Sequence, residues 1–592
     1  MLDDMLRRGP DSGGIHTSEW AILGHRRLAV LDRTPAGRQP MTLEDGTAIT
    51  FNGAIYNFRE LRRELERDGH HFRSSSDTEV LLRGYRSWGI NDLVPRLRGM
   101  FAFAIWDEPA RRGFLVRDRL GVKPLCFSVV GPSLMFASTA EALRLAGASG
   151  EMDMSAVADF LAHGYIAEEH SLFRGIRKLA PATIAEWSPE HGLRSRTYWQ
   201  IPTPNETLDV GFAEATERVE QLLLDATRVR LHADVPVGAL LSGGVDSALV
   251  SWAALAGGAS LRTFTVSVPG DRTDESEDAQ LTARELGLEL TVLPIERPNA
   301  DVIGELNTAF GEPFAIESAL GMLRIARAVD DTGTRVLLTG DGGDDVFLGY
   351  PRHRHLLAAQ RLRGLIPRFG RRLLERTEHW VPGPSIVRRP KRLLDYAVGG
   401  LPAFLNAGFG LRDYHSRQLL GERFDESTPF LTRAMQVPNS DAILEGYLKL
   451  DYRSQFVSEY LQKVDGSTMH YGIEARAPFL DQEVWTYGAR LPFDIRLNRG
   501  VLKAVLRDIA RRRISNRVAF GRKRGFRLPV QRWVISEWLP FVRDNLADGV
   551  LVREGIVRQD AVSRLLSEPG ESDGHVIWNL IVLETWLAQR GL

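Results

Sequence analysis

The run Leu240-Leu241-Ser242-Gly243-Gly244-Val245-Asp246-Ser247 restricts the fold of this chain more than any other segment. Val235-Pro236-Val237-Gly238-Ala239 leads into it as a short buried strand, and residues 248–255 continue it as an apolar helix start. A glycine pair therefore stands where a strand turns into a helix. The free N–H groups of a helix N-terminus face outward there, and the dipole favours an anion. Two glycines let the backbone approach oxygen atoms closely and adopt positive φ where needed. Ser242 and Ser247 add hydroxyl donors, and Asp246 is a carboxylate suited to Mg2+. The turn reads as a cradle for pyrophosphate.

The 592 residues leave room for several domains. Apolar and charged fractions of 43% and 26% are those of a soluble globular protein. A net charge of −1 argues against nucleic acid as a partner. The single cysteine, Cys126, excludes an intrachain disulfide and a cysteine-rich zinc site, and a cytoplasmic location fits it. No stretch approaches the roughly 18–20 apolar residues of a membrane span. Met1-Leu2-Asp3-Asp4-Met5 has no apolar core of a signal peptide, so neither membrane nor export is expected.

Short β-type runs fill the first third of the chain, at 21–24, 28–31, 48–51, 101–106 and 113–116. Helices at 59–66 and 77–85 interrupt them, the second after a Ser-Ser-Ser-Asp cap. This predicts an α+β domain over 1–190, with 191–210, around Ile201-Pro202-Thr203-Pro204-Asn205, as a linker. Over 211–592, helices alternate with buried strands at 262–268, 291–294 and 335–339, which predicts an α/β doubly wound parallel sheet. Beyond about residue 345 the pattern is largely helical. The locally basic stretch 361–392 reads as a solvated helical insertion.

Two further motifs belong with the first. Val336-Leu337-Leu338-Thr339-Gly340-Asp341-Gly342-Gly343-Asp344-Asp345 is another buried strand running into a glycine–acid loop. In a doubly wound sheet ligands gather at the carboxyl ends of strands, so Asp246 and Asp344 are expected to share one Mg2+. Glu474-Ala475-Arg476-Ala477-Pro478-Phe479-Leu480-Asp481 is followed by Lys503 on an expected helix, where it can neutralise a departing pyrophosphate. For Glu474 and Arg476, a structural ion pair and a substrate contact are equally open.

In this order the motifs resemble the synthetase domain of glutamine-hydrolysing asparagine synthetases. Arg230-Leu231, Asp274-Glu275-Ser276, Lys463-Val464-Asp465, Lys523-Arg524-Gly525-Phe526 and the stretch from Trp578 to Trp586 agree. The resemblance implies an ATP pyrophosphatase-type domain that adenylates a carboxylate, releases pyrophosphate and passes the acyl group to an amine. It places Leu241, Val266, Thr339 and Gly340 at the nucleotide, and Ser242, Gly243, Gly244, Asp246 and Ser247 at pyrophosphate and Mg2+. Asp341 would support the adenylate or the attacking amine, Asp344 would be the second magnesium carboxylate, and Lys503 would contact phosphate. Asp345 stands where the family has glutamate.

Residues 7–125 are similar to the class II glutamine amidotransferase domain. The matching motifs are Arg8-Gly9-Pro10-Asp11, His25-Arg26-Arg27-Leu28, Phe51-Asn52-Gly53-Ala54-Ile55-Tyr56-Asn57, Ser76-Asp77-Thr78-Glu79 and Arg117-Asp118-Arg119-Leu120-Gly121. The resemblance implies an Ntn-hydrolase-type αββα sandwich. Arg27 would bind the glutamine carboxylate, Asn52 and Gly53 would form an oxyanion hole, and Asp77 would meet the ammonium. Two departures stand out. The family's nucleophile is an N-terminal cysteine, whereas this chain opens Met1-Leu2 and enters the domain beyond its first strand. The glutamate of the Asn-Gly-Glu motif is Ala54. The expectation is a sandwich truncated at its start with a weakened glutaminase, and Cys126 as a core residue.

The leading function is thus an ATP- and Mg2+-dependent amide ligase acting on a small carboxylate, aspartate first, with glutamine or ammonia as nitrogen donor and a homodimer as a possible assembly. An amidotransferase of specialised metabolism or a peptide macrolactam synthetase is the alternative. β-Lactam closure is disfavoured because Gly342 and Gly343 occupy loop positions where a tyrosine is expected. A catalytically silent scaffold or nucleotide sensor, and a glutamine-dependent sugar or phosphoribosyl transferase, rank below.

Overall fold

The computed structural model describes residues 1–202, 207–268, 274–294, 299–367, 369, 388–408, 419–421, 441–521 and 528–592. The expected match 523–526, the middle of the basic stretch and part of the expected linker lie outside these residues.

Strands β1 (Ser12–Thr17) and β2 (Ile22–Arg27) pair as an antiparallel hairpin. Next come β3 (Met41–Thr42), β4 (Ala48–Ile55), β5 (Gly99–Asp107) and β6 (Arg112–Arg117). Then follow β7 (Cys126–Val130), β8 (Ser133–Ala137), β9 (Ile176–Lys178), β10 (Thr183–Ser188) and β11 (Gly192–Thr197). A six-stranded sheet has the order β11-β10-β6-β5-β4-β3, and a three-stranded sheet the order β8-β7-β9. The period of two along β5 decides the layering. Phe101, Phe103 and Ile105 face the helices Phe58–Arg67 and Asp77–Arg96, with Leu65, Val80, Leu81 and Leu93. Ala102 and Ala104 face the other way, toward Leu125, Phe127, Leu134 and Phe136 of the second β layer. The helices Ala140–Leu145 and Met154–His163 pack beyond that layer in one core with Cys126, Ala137 and Ile176. The result is the expected αββα sandwich.

Two local expectations are corrected. Residues 28–31 form no strand, because Ala29 N–H donates to the Asp11 carboxylate and the Leu31 carbonyl accepts from Arg27. The stretch expected as a linker begins with β11, which pairs with β10 across Thr183↔Thr197 and extends the sheet. Its side chains are largely exposed, so no burial pattern marked it.

The second half opens with the helix Phe212–Arg230. Strands β12 (Val237–Leu240), β13 (Arg262–Ser267), β14 (Leu290–Pro294), β15 (Val336–Leu338) and β16 (Glu474–Arg476) form a sheet in the order β14-β13-β12-β15-β16. Every pairing in it is parallel. From β12 the chain builds outward through β13 to β14 and then returns to β12's other side, so β12 and β15 flank the topological switch point, where such sheets bind ligands. The last helix, Gly574–Ala588, is buried on nearly every side, with Trp578 and Trp586 fully enclosed. A helix apolar all round belongs in a core, and this one packs on Met154–His163 of the first half.

Buried ion pairs join the halves. Lys123 and Arg8 both reach Asp465, at 3.0 and 2.7 Å. Asp481 accepts from Arg98 of the first half at 2.9 Å and from Arg230 at 2.7 Å. Burial would raise the Asp481 pKa, but Arg230 and Arg98 outweigh it and hold it below the usual range. Removing one partner of such a pair leaves uncompensated buried charge. We expect Asp481→Ala to destabilise the chain by about 3–5 kcal/mol, read as a lower denaturant midpoint; a change within experimental error would show that the clasp is dispensable.

Candidate active sites

At the end of β12 the predicted turn is built as expected. Ser247 Oγ accepts from Ser242 N–H at 3.0 Å and lies 2.9 Å from Ser242 Oγ, which in turn accepts from Gly244 N–H at 3.1 Å. These bonds fix the loop that starts the helix Val245–Ala256, whose N-cap, Gly244, has no side-chain cap. Leu241 is buried, and its N–H donates to Phe264 O at 2.9 Å. Across the switch point, Thr339 N–H donates to Arg476 O at 3.0 Å. The Thr339 hydroxyl and one Asp341 carboxylate oxygen are buried with no hydrogen-bond partner among the described residues. Val266, near the end of β13, packs on the same sheet.

Asp246 and Asp344 converge, as the sequence predicts, and Lys503 joins them. Its ammonium pairs with Asp246 and stands 2.7 Å from Asp344 Oδ1. Burial would lower the lysine's pKa, and the two carboxylates reverse this and raise it. Lys503 precedes the helix Ala504–Arg513 rather than lying within it, and its φ of 54° is left-handed. Gly349 closes the site, since a Cβ there would meet Asp344 Oδ1 at 1.8 Å and Lys503 Cε at 2.2 Å. Two carboxylates that share one cation also suit Mg2+, a hard ion that takes few protein oxygens and completes its shell with phosphate and water. Among the described residues no group of three or more His, Cys, Asp or Glu could hold a metal.

The second site is a cavity of about 680 Å³ between the two β layers. Arg27, Asn52, Gly53 and Asp77 all line it, so the four residues expected at glutamine are brought together. The Asn52 amide nitrogen is buried with no partner among the described residues. Gly53, at φ 142°, packs so closely that a Cβ would meet Met100 O at 2.0 Å. Arg27 already donates to the carbonyls of Leu31 and Asp32, at 2.8 and 2.7 Å. Burial, with a smaller contribution from Glu474, lifts the Asp77 pKa to about 6, although Ile55 N–H bonds the carboxylate. Cys126 does not line this cavity, and burial pushes its thiol up to about 12, as a core residue requires.

Sequence reasoning assigned Glu474 and Arg476 to the synthetase half alone, yet both also line this cavity. Arg476 donates to Glu474 at 2.8 Å and to the carbonyls of Arg230 and His232, at 2.7 and 2.8 Å. The structural ion pair is therefore real, and its place between the sites had no local signal in the sequence.

The chain thus carries two sites, a cavity in the αββα sandwich and a glycine–hydroxyl turn with two carboxylates at the switch point of a parallel sheet. A glutamine amidotransferase domain model matches residues 1–199, and an asparagine synthase model matches residues 218–588. The chain belongs to the asparagine synthase family and is an ATP-dependent carbon–nitrogen ligase. It is 29% identical to asparagine synthetase [glutamine-hydrolyzing] 1 of Bacillus subtilis, over 98% of this chain and 92% of that protein. It is 31% identical to a putative asparagine synthetase of Methanocaldococcus jannaschii over 58% of this chain and 71% of that one. The amidase chry2 of Gibberella zeae is 30% identical over 60% of this chain and 55% of its own length.

The shift at Asp77 has a thermodynamic consequence. The folded chain keeps this proton up to about pH 6, whereas an ordinary aspartate releases it near 3.8. Stability from this group therefore falls as pH rises between those values and stays lower above them. Asp77→Asn should remove that slope, so the difference in denaturant midpoint between variant and wild type shifts in the variant's favour from pH 4 to pH 7; a constant difference would overturn this.

Proposed function

We propose that the synthetase half adenylates the side-chain carboxylate of aspartate and that this polypeptide completes the amide with ammonia or another amine better than with glutamine. The convergence of Asp246, Asp344 and Lys503 beside the Ser242 turn carries the first part. ATP and Mg2+, when bound, supply the activated phosphorus and neutralise its charge. The chain's own groups do the rest. The N–H group of Gly243 and the hydroxyls of Ser242 and Ser247 hold the pyrophosphate oxygens, and Gly244 N–H fixes the Ser242 hydroxyl in place. Leu241, Val266, Thr339 and Gly340 border the nucleotide. Lys503, kept protonated by its two carboxylates, stabilises the leaving charge. Asp341, with an unsatisfied buried oxygen, orients the attacking amine.

The second part rests on the other cavity. Asn52, Gly53, Arg27 and Asp77 form a frame for glutamine, and Ala54 takes away a carboxylate that would hold an ammonium. Losing such a charged partner costs about 1.5–3 kcal/mol. A carboxylate acceptor other than aspartate is the second reading, in keeping with the 30% identity to the amidase chry2 of Gibberella zeae over 60% of this chain.

Aspartate-dependent ATP–pyrophosphate exchange is the decisive measurement, and its absence would overturn the aspartate assignment. Lys503→Met should lower that exchange by about 10²–10³-fold, and a fully active variant would remove the lysine from catalysis. Amide formation should be faster with ammonium than with glutamine; equal rates would refute the donor assignment.

A further inference from the structure

We propose that Arg352 reads the second carboxylate of the acceptor, which makes the synthetase half selective for an amino-dicarboxylate over a simple acid; this rests on the aspartate reading above. Arg352 lies in the first turn of the helix Pro351–Leu365, the segment that leaves the Gly340 loop. A cation at that end opposes the helix dipole, and no acidic residue in the turn compensates it. Local rules broken in this way mark functional positions.

The guanidinium is held but not used up. It lies over the rings of Tyr350 and Tyr447, at 4.3 and 5.5 Å. Its Nη2 donates to the Tyr460 hydroxyl at 3.3 Å, while its Nε is buried with no partner among the described residues. Asp451 stands off at 3.9 Å and already accepts from the Tyr447 hydroxyl at 3.0 Å. Two arginines that serve structure, Arg117 and Arg476, are more fully bonded. Arg117 donates to Glu168 and to the carbonyls of Gly121, Lys123 and Leu179, and Arg476 also bonds a carboxylate and two carbonyls. A planar fork with open donors matches a carboxylate.

The surroundings bring this fork toward the Gly340 loop. The facing wall is Phe456–Leu461, a π-helical turn of the kind common at functional sites. It carries Tyr460, whose ring stacks on Tyr350 with centroids 5.9 Å apart, and Glu459, which accepts from Gln455 Nε2 at 2.7 Å. The helix that follows, Gln462–Met469, packs on β16 and leads directly into it, so its first turn lies toward the carboxyl ends of β15 and β16. Tyr452 donates its hydroxyl to Asp345 O at 3.2 Å, tying this segment to the Gly340 loop.

The test is ATP–pyrophosphate exchange by wild type, Arg352→Met and Arg352→Lys with aspartate, succinate or β-alanine. The first two acceptors keep the second carboxylate, and β-alanine lacks it. In Arg352→Met the KM for aspartate and for succinate should rise about 10- to 100-fold, with a smaller rise in Arg352→Lys. The KM for ATP and for β-alanine should not change. A loss of the same size with β-alanine would mean a structural role and overturn the proposal, as would an unchanged KM for aspartate. A wild-type chain that exchanges with none of the three acceptors removes the aspartate reading and this subsite together.

Discussion

The buried guanidinium of Arg476 fixes where the two halves of this molecule meet. Its ion pair with Glu474 and its bonds to the Arg230 and His232 carbonyls leave the side chain one position. Its ring contact with Tyr56, at 5.7 Å, touches the strand-end segment that carries Asn52 and Gly53. β16 is only three residues long, yet it completes the parallel sheet, bonds Thr339 and walls the cavity of Asp77. Any shift of this strand moves both sites at once.

The other contacts between the halves share this character. Lys123 with Asp465, Arg98 with Asp481 and Lys178 with Glu312 are all buried or nearly so. Ion pairs of this kind add little net stability over apolar packing, but a mispaired arrangement would strand a charge. Apolar surface from Gly574–Ala588 supplies the cohesion, and the ion pairs set the register in which it is used. That division suits a protein whose two sites share β16.

Local physics explains what the sequence revealed. The strand–turn–helix at Ser242 is coded within a dozen residues by burial, glycine and hydroxyl placement, and it folded as read. The β5 alternation of Phe101, Phe103 and Ile105 with Ala102 and Ala104 likewise announced a two-faced strand. β11 escaped because an exposed edge strand has no apolar period. Residues 28–31 misled because a side chain–backbone network around Arg27 and Asp11 overrode β propensity. The reach of Glu474 and Arg476 into the amidotransferase cavity, and the open fork of Arg352, depend on partners far away in sequence, which no window contains.

The left-handed Lys503 has a consequence for how the molecule comes to exist. Two carboxylates facing each other in a part-buried site would repel while the chain condenses. Here the protein brings its own cation to them, at the cost of a backbone conformation that a non-glycine residue seldom adopts. The acidic site can therefore form during folding with no divalent ion at hand.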